Sequence, residues 1–419
     1  MQLGNKMKTP KTNGNKKLPI ILSAAVTAVV SMGQAADSTD TVSFNHEYYA
    51  ESDERIVVKY TMFDFKKDFG TDWSLAVSFS IDTITGGTPI WDSISAPSPC
   101  TDEFGNYICD DPEKRPGNLL GAPQTDLSDF VYRNIHMVDK RKAGNIALTY
   151  RTPARNEWSF GVAYSEEEDF TSKEASLGYL HYLDETKNNS LSFGISVQKN
   201  KALFYFDEEW RDMDILSAEL SYTQIFNPNT LGQITLFRTR QSKTLTNPYQ
   251  TVLRRVNVLD DEPTLAPIYR YYRAREIRPD VKDISGIAIN AISEVQDGLK
   301  VHAHYRLYKD NWDIMSHTVN LKAYYSLTDK ITLAPNIRYY NQSAASFYKG
   351  HKDADFIFSE REGPASSDER LGAFHSFTYA LGLESKLSDK WDINLHVATQ
   401  KTSYDLKSYW ISAGVKYAF

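Results

Sequence analysis

The chain has 419 residues, of which 41% are hydrophobic and 24% charged, and its formal net charge is -7. The mean hydropathy of -0.47 excludes a membrane protein built from many apolar helices, and the negative charge argues against nucleic-acid binding. Aromatic residues make up 13% of the chain and include 26 Tyr. This composition is typical of a membrane β-barrel, in which only alternate residues face lipid, but it also fits a secreted β-sandwich.

The N-terminus has the three parts of a secretory signal peptide. A basic segment ending at Lys17 precedes the apolar run 18–32, and small residues follow at 33–36. We predict that residues 1–35 are a cleaved signal peptide and that 36–419 form the mature protein. A short membrane anchor is the alternative, but the apolar run is shorter than the roughly 20 residues that a spanning helix needs.

Cys100 and Cys109 are the only cysteines of the chain. An exported protein can oxidise them, and the polar segment between them predicts one local disulfide in a surface loop. The sequence has no CxxC or CxxCH motif, which argues against a thioredoxin-like site and covalent haem. Acidic residues around the pair suggest either a calcium site or a solvated loop, and their spacing fits no calcium-loop pattern. These residues are Asp102, Glu103, Asp110 and Asp111.

After the signal peptide, apolar and polar residues alternate with a period of two in segment after segment. In the last segment Tyr409, Ile411 and Val415 alternate with polar or small residues, so that one face of the strand is apolar. Most segments approach or reach the roughly 9–11 residues of a membrane-barrel strand. We expect the strand that ends in Phe419 to be the one that the barrel-assembly machinery recognises.

Sixteen strands are predicted, and fourteen or eighteen are alternatives because boundaries taken from one sequence err by a few residues. Short turns alternate with longer connections, and the three longest are expected to be irregular loops near 86–135, 241–278 and 341–369. This arrangement predicts an all-β fold, a transmembrane antiparallel β-barrel in the bacterial outer membrane with short periplasmic turns and long extracellular loops. The predicted strands lie near 40–50, 53–65, 72–85, 136–152, 156–166, 170–183, 190–200, 212–226, 230–241, 279–293, 298–310, 312–327, 330–342, 370–387, 390–402 and 405–419.

One strand ends near an Asp in the segment Asp-Thr-Ile, which is followed by a Thr-Gly-Gly-Thr-Pro turn, and two further short motifs lie at 49–56 and 275–280. Together these motifs resemble an uncharacterised family of bacterial outer-membrane β-barrel proteins, a domain of unknown function of about this length. The resemblance would cover most of the mature chain. It implies the barrel and leaves the activity and any catalytic residues open. The turn residues that carry it are Asp82, Gly86, Gly87 and Pro89.

If the apolar faces meet lipid, the alternate residues line the lumen. Basic side chains then occur on three successive predicted strands, and acidic side chains on the next two. A basic wall near an acidic wall would impose a transverse field on a constriction, as in porins that select solutes. The alternative is that these charges pair with one another or face water. The predicted pore-lining residues are Lys300, His302, His304, Arg306, Lys322, Arg338, Glu384 and Asp392.

Two other groups of residues have an alternative chemical interpretation. His302 and His304 share one face of a strand and are a candidate pair of metal ligands, but no third ligand is placed beside them, and polar lining is the alternative. The second long loop is rich in Arg, which suits phosphates and carboxylates. This loop could bind lipopolysaccharide, grip an anionic solute or fold into the pore, or its charges could meet Asp260, Asp261 and Glu262. Its arginines are Arg254, Arg255, Arg270, Arg273, Arg275 and Arg278.

The function predicted from these features is a porin-like channel for small solutes, with no cofactor. A structural or partner-binding barrel for a surface or redox complex is the alternative, and it would have long loops packed over the lumen. An enzyme on the barrel wall is a second alternative, but the chain has no Gly-x-Ser-x-Gly, Walker or His-Glu-x-x-His motif. The expected partners are outer-membrane lipid, lipopolysaccharide and small solutes, and an oligomer such as a trimer fits a porin of this size.

Overall fold

The computed structural model describes residues 40–93, 126–134, 138–204, 207–257, 268–359 and 362–419. The predicted signal peptide and the predicted disulfide between Cys100 and Cys109 lie outside these described residues.

The strands in the described ranges are, in chain order, β1 (Thr41–Glu51), β2 (Ile56–Phe69), β3 (Trp73–Gly86), β4 (Pro89–Ser93), β5 (Phe130–Asn134), β6 (Val138–Arg151), β7 (Glu157–Glu166), β8 (Phe170–Tyr182), β9 (Asn189–Leu203), β10 (Trp210–Asn227), β11 (Thr230–Lys243), β12 (Thr251–Asn257), β13 (Tyr269–Arg275), β14 (Val281–Gln296), β15 (Leu299–Asp310), β16 (Met315–Thr328), β17 (Ile331–Gln342), β18 (Phe374–Lys386), β19 (Trp391–Thr402) and β20 (Lys407–Ala418). Three short 3₁₀ segments, Ser52–Glu54, Leu127–Asp129 and Glu369–Leu371, accompany them.

Sixteen of these strands form one closed barrel, in the order β1-β2-β3-β6-β7-β8-β9-β10-β11-β14-β15-β16-β17-β18-β19-β20. They correspond one by one to the sixteen predicted strands, with boundaries that differ by a few residues, so the predicted fold class is confirmed. The barrel closes because β1 pairs with β20, antiparallel, from Thr41↔Ala418 to Glu51↔Ser408. Closure removes the free edges that an open sheet would present.

The two faces of the barrel wall differ as the alternation predicts. Phe160, Val162 and Tyr164 of β7 are each about half exposed, and they alternate with the small residues Gly161 and Ala163. Large exposed apolar side chains on one face of a strand are stable when that face meets lipid. The opposite face of each strand therefore points into the lumen.

Pairs of aromatic rings mark one end of the outer face. The ring centroids are 4.6 Å apart for Trp73 and Tyr150, 4.4 Å for Trp158 and Tyr179, and 4.7 Å for Trp391 and Tyr417. All three pairs lie near the ends of strands that are joined by short turns. Such a ring of amphipathic aromatic side chains is typical of the boundary between the hydrocarbon layer and water.

The connections at the two ends of the barrel differ in length. Short turns such as 228–229 and 297–298 join strands at one end, and three long connections, 87–137, 244–280 and 343–373, lie at the other. Their positions agree with the prediction, but the expectation of irregular loops is wrong for two of them. Strand β4 pairs with β5, and β12 with β13, in two-stranded antiparallel sheets. The alternation within these short strands is too brief to stand out in the sequence, and they are stabilised by packing on other loops.

No helix in the described part of the chain is long and apolar enough to cross a membrane.

Strand β3 continues through Asp82 to Gly86, within one residue of the predicted strand 72–85, and the rest of the family-like turn follows it. At Gly86 the chain comes close to the connection between β1 and β2. The carbonyl oxygen of Arg55 accepts the N–H of Gly87 at 3.0 Å. Gly86 has a φ of +98°, and an added Cβ atom would lie 1.9 Å from that same oxygen.

We expect Gly86→Ala to destabilise the barrel by more than the about 1–3 kcal/mol of an unfavourable backbone conformation, because the methyl group also overlaps the Arg55 backbone. Gly70→Ala is the matched control, since Gly70 also has a positive φ, +62°, but no atom lies within 4 Å of its added Cβ. The midpoint of urea unfolding of both variants measures the difference. Equal losses in the two variants would contradict a specific role for the close approach at Gly86.

Candidate functional site

The lumen is the candidate site, and its wall is made of small polar side chains over much of the circumference. On β9, Phe193 and Ile195 are exposed on the outer face, and the residues between them point inward. The inward residues of this strand are Ser190, Ser192, Gly194, Ser196, Gln198 and Asn200. Small hydroxyl and amide side chains do not fill a barrel of sixteen strands, so this wall borders an aqueous space.

The predicted basic residues lie side by side on the inward faces of β15, β16 and β17. The strand register places His302 opposite Lys322, and His304 opposite Asn320. Asn320 in turn lies opposite Arg338 of the next strand. Lys300, at the start of β15, is exposed. The basic wall, defined as Lys300, His302, His304, Arg306, Lys322 and Arg338, is thus a continuous patch on three neighbouring strands.

Aromatic rings support the cations of the basic wall. The Arg306 guanidinium lies 4.6 Å from the centroid of the Phe237 ring, and the Lys322 ammonium lies 4.4 Å from that of Tyr324. Arg338 lies 5.4 Å from the ring of Tyr340. A cation over a ring face retains its charge, and a guanidinium held in this way still presents N–H groups at its edge. The arrangement can therefore attract an anionic group in the lumen.

The two histidines of the basic wall have separate neighbours. His304 Nδ1 lies 2.7 Å from Asn290 Oδ1, and Asn290 donates to Gln233 Oε1 at 3.2 Å. The His302 ring packs 4.9 Å from the ring of Tyr324. These contacts make the histidines members of a polar lining that continues across β14 to β11.

The two predicted acidic residues lie beside the short turn that joins β18 to β19. They are therefore far from the end of the basic wall that is nearest the long loops. Asp392 forms an ion pair with Lys416 at 2.8 Å, so its charge is compensated within the wall. Glu384 is exposed and lies opposite Thr332 and Asn394 in the register. These two residues by themselves do not form an acidic counterpart to the basic wall.

A larger acidic group on the opposite half of the ring was missed by the sequence analysis. Its four carboxylates point inward from β1, β2, β8 and β10, whereas the basic wall occupies β15 to β17. The period-two alternation of the sequence already assigns these four acidic residues to the inward face. Their position relative to the basic wall becomes visible only in the closed ring. The acidic half is defined as Glu47, Asp64, Glu174 and Glu219.

The three long loops meet above the lumen in a folded layer, which we call the cap. They leave the ring after its third, ninth and thirteenth strands. Thr251 Oγ1 donates to the carbonyl of Trp91 at 2.6 Å, and Tyr132 Oη donates to the carbonyl of Ser367 at 3.2 Å. Loops that start so far apart on the ring and contact one another must extend across the mouth. The described parts of the cap are 87–93, 126–134, 244–257, 268–280, 343–359 and 362–373.

Buried apolar side chains from all three loops hold the cap together. Trp91 and Phe130 of the first loop pack with Leu253 of the second and Ile357 of the third. The exposed fraction of Leu253 is 0%. Burial of this kind stabilises by roughly 1.5–3 kcal/mol for each large side chain, so the cap is a small core and not a set of solvated loops.

Most arginines of the second loop have partners inside the cap. Arg273 pairs with Asp92, and Arg275 pairs with Asp207 in the connection between β9 and β10. Arg254 donates to the carbonyl of Gly363 at 2.7 Å. Lipopolysaccharide, an anionic solute, the pore and nearby acids are the alternative partners that the sequence predicts for these arginines. Asp260, Asp261 and Glu262 lie outside the described residues.

An ion network is buried where the second and third loops meet. Glu276 accepts from Arg278 Nε at 2.7 Å, and Arg278 also reaches Asp368 at 2.9 Å. Asp368 pairs with Arg370 at 2.6 Å. Although burial acts in the opposite direction, Arg370 and Arg278 hold the pKa of Asp368 well below its usual range. The network therefore keeps its charges and joins the two loops.

A closed barrel with lipid-facing aromatic rings and a polar lumen defines the class of outer-membrane β-barrels. The chain belongs to the family described as "Protein of unknown function (DUF3570)", which matches residues 19–207 and 206–416. The resemblance found in the sequence is thereby confirmed. No curated protein matches the chain.

Solved structures with a similar fold are distant in sequence. The CymD monoaromatic hydrocarbon channel is 8% identical, with a TM-score of 0.41 over 92% of this chain and 89% of the other. A loop-deletion mutant of OmpT, an outer membrane protein of Vibrio cholerae, is 9% identical, with a TM-score of 0.41 over 91% and 98%. The siderophore receptor PirA from Pseudomonas aeruginosa is 9% identical, with a TM-score of 0.39 over 87% of this chain, which spans only 56% of that receptor.

We expect Asp368→Asn to loosen the cap, because it leaves Arg278 and Arg370 without their shared carboxylate. Arg278 retains Glu276 and the Arg370 side chain is 44% exposed, so we expect a cost below the about 3–5 kcal/mol of an uncompensated buried charge. The matched control is Asp355→Asn in the same loop, where the carboxylate pairs with Lys349 at 2.7 Å but is 71% exposed, and an exposed pair contributes at most about 1 kcal/mol. Limited proteolysis of both variants measures the effect, and equal cleavage rates in the cap would contradict it.

Proposed function

We propose that this outer-membrane barrel is a porin-like channel for small polar solutes, which reaches the membrane after export and cleavage of residues 1–35. The observation that carries the proposal is the separation of charge across a polar lumen. Basic side chains are concentrated on β15 to β17, and the acidic half lies on β1, β2, β8 and β10. Other inward charges are compensated by pairs between neighbouring strands, as in Asp392 with Lys416 and Asp82 with Arg141.

The dimensions of the barrel favour passage of water and solutes. A sixteen-strand ring is wide enough for an aqueous channel unless loops close it. The inward side chains of β9 are Ser, Gly, Gln and Asn, which neither fill the space nor repel water. Half-exposed side chains on the basic wall, such as Arg338, support the same conclusion.

The charge separation would select solutes by orientation as well as by net charge. A field across the lumen aligns dipolar solutes and water. It slows ions of one sign, because such ions are attracted by only one of the two charged walls. Because both signs are present, the preferred solute carries both an anionic and a cationic or hydrogen-bonding group. The cap narrows the entrance and would restrict the size of that solute.

Single-channel conductance of the refolded protein in a planar bilayer tests the channel. We expect stepwise openings, and we expect Arg306→Gln combined with Arg338→Gln to shift the permeability ratio toward cations. The shift is up to about fivefold for each removed charge, because a unit charge about 4 Å away contributes about 1 kcal/mol in water. Arg238→Gln is the matched control, since Arg238 is exposed on the outer face of β11. An unchanged ratio in the double variant would contradict a lumen role for the basic wall.

The second candidate is a closed barrel that binds a partner through its cap, and the interlocking of three loops over the mouth favours it. Replacing residues 251–275 by a short Gly-Ser linker separates the two candidates. If wild-type protein is silent and the folded variant conducts, the cap closes the lumen and partner binding is supported. If wild-type protein conducts and the variant conducts more, the channel is supported. The change in electrophoretic mobility on heating confirms that each variant is folded.

A further inference from the structure

Three carboxylates meet at the extracellular rim, beneath the cap and apart from the basic wall. We call Asp139, Glu167 and Asp169 the rim cluster. Asp139 is the second residue of β6, and Glu167 and Asp169 belong to the three-residue connection between β7 and β8. These residues come together because the register aligns β6 with β7 at their extracellular ends.

The rim cluster is compact and shielded from water. One ligand oxygen of each residue lies within 4.8 Å of those of the other two. The exposed fractions are 1% for Asp139, 8% for Glu167 and 5% for Asp169. A calcium ion takes oxygen ligands at about 2.3–2.6 Å, so ligand oxygens around one ion are separated by distances of this size.

Each carboxylate has one buried oxygen that no donor reaches. These atoms are Asp139 Oδ2, Glu167 Oε2 and Asp169 Oδ1. The other oxygen of Asp139 accepts the N–H of Lys140 at 2.7 Å, and that of Asp169 accepts the hydroxyl of Tyr249. Asp139 and Asp169 are therefore held by one oxygen, while no donor from outside the rim cluster reaches the second. Buried polar atoms in folded proteins are nearly always satisfied, and an exception of this kind points to a missing ligand.

The charges around the rim cluster do not balance. Arg141 pairs at 2.8 Å with Asp82 of the neighbouring strand, and Asp82 also has a buried oxygen without a partner. Asp82 is thus a fourth buried carboxylate, within electrostatic reach of Asp139. An uncompensated group of carboxylates in a buried place is costly unless a cation is present.

We propose that the rim cluster binds one hard divalent cation, calcium in the first place, through Asp139, Glu167 and Asp169. A ligand set made only of carboxylate oxygens suits calcium and not the softer transition metals, which prefer imidazole or thiolate. Water and backbone carbonyls complete the coordination. The proposal does not depend on whether the barrel conducts.

A cation at this place would join the barrel rim to the cap. Tyr249 belongs to the segment that leads into β12, its exposed fraction is 3%, and its hydroxyl donates to Asp169. An ion bound to Asp169 therefore connects β6 and the β7–β8 connection with the second long loop through a single hydrogen bond. Removal of the ion should loosen this anchor of the cap.

Terbium luminescence tests the binding directly, because a nearby tyrosine such as Tyr249 sensitises the ion. The mature protein is refolded in detergent without lipopolysaccharide, treated with EDTA and titrated with Tb³⁺, and calcium is then added as a competitor. We expect saturable luminescence that calcium displaces with a dissociation constant on the order of 10⁻⁴–10⁻³ M, as in extracellular calcium sites. Asp139→Asn and Glu167→Gln should abolish the signal. Glu166→Gln is the matched control, because Glu166 is the adjacent acidic residue and is exposed.

A second measurement keeps the result interpretable if a variant folds poorly. Calcium should raise the temperature at which the wild-type barrel loses its heat-sensitive mobility, and it should leave Asp139→Asn unchanged. The alternative is that protons, and not a cation, compensate the three carboxylates. In that case Asp139→Asn will stabilise the protein equally with and without calcium. Terbium will then bind wild-type protein no better than either variant. That outcome, or equal binding by wild type and both variants, would overturn the proposal.

Discussion

The structure depends on one constraint, which is that every backbone N–H and C=O group within the hydrocarbon layer must find a partner in the protein. A β-sheet meets this constraint only when its first and last strands pair, as β1 and β20 do from Thr41 to Glu51. Once the ring is closed, each strand has one face toward lipid and one toward the lumen. The outer rings, the polar lumen and the sorting of turns and loops all follow from this closure.

The lumen acquires its electrical character from the same geometry. The linear sequence does not show how the basic residues of β15 to β17 and the acidic residues of β1 to β10 are placed relative to one another. In the closed ring the two groups lie on separate parts of the lumen wall, and the proposed channel depends on the field that such a separation produces. The aromatic rings beneath Arg306 and Arg338 support these cations and leave them charged. A solute that entered would therefore meet one wall of each sign.

The cap limits access to this lumen and is itself a folded structure. Its apolar core joins Trp91, Leu253 and Ile357 from three loops, and its ion network joins Glu276, Arg278 and Asp368. The rim cluster lies where this layer meets the barrel wall, so the cap and wall are connected by polar as well as apolar contacts.

The sequence by itself determined the barrel, its sixteen strands and the positions of the long loops. Alternation with a period of two is a local property, and each strand displays it without reference to its neighbours. The basic residues of β15 to β17 could be assigned to the inward face for the same reason. Contacts between distant segments were decided only by the tertiary structure. Arg273 meets Asp92 across 181 positions and Arg278 meets Asp368 across 90, and no local pattern encodes such pairs. The acidic half and the folding of the loops into a cap belong to this second group because they depend on ring closure, and the rim cluster belongs to it because it depends on the pairing of β6 with β7.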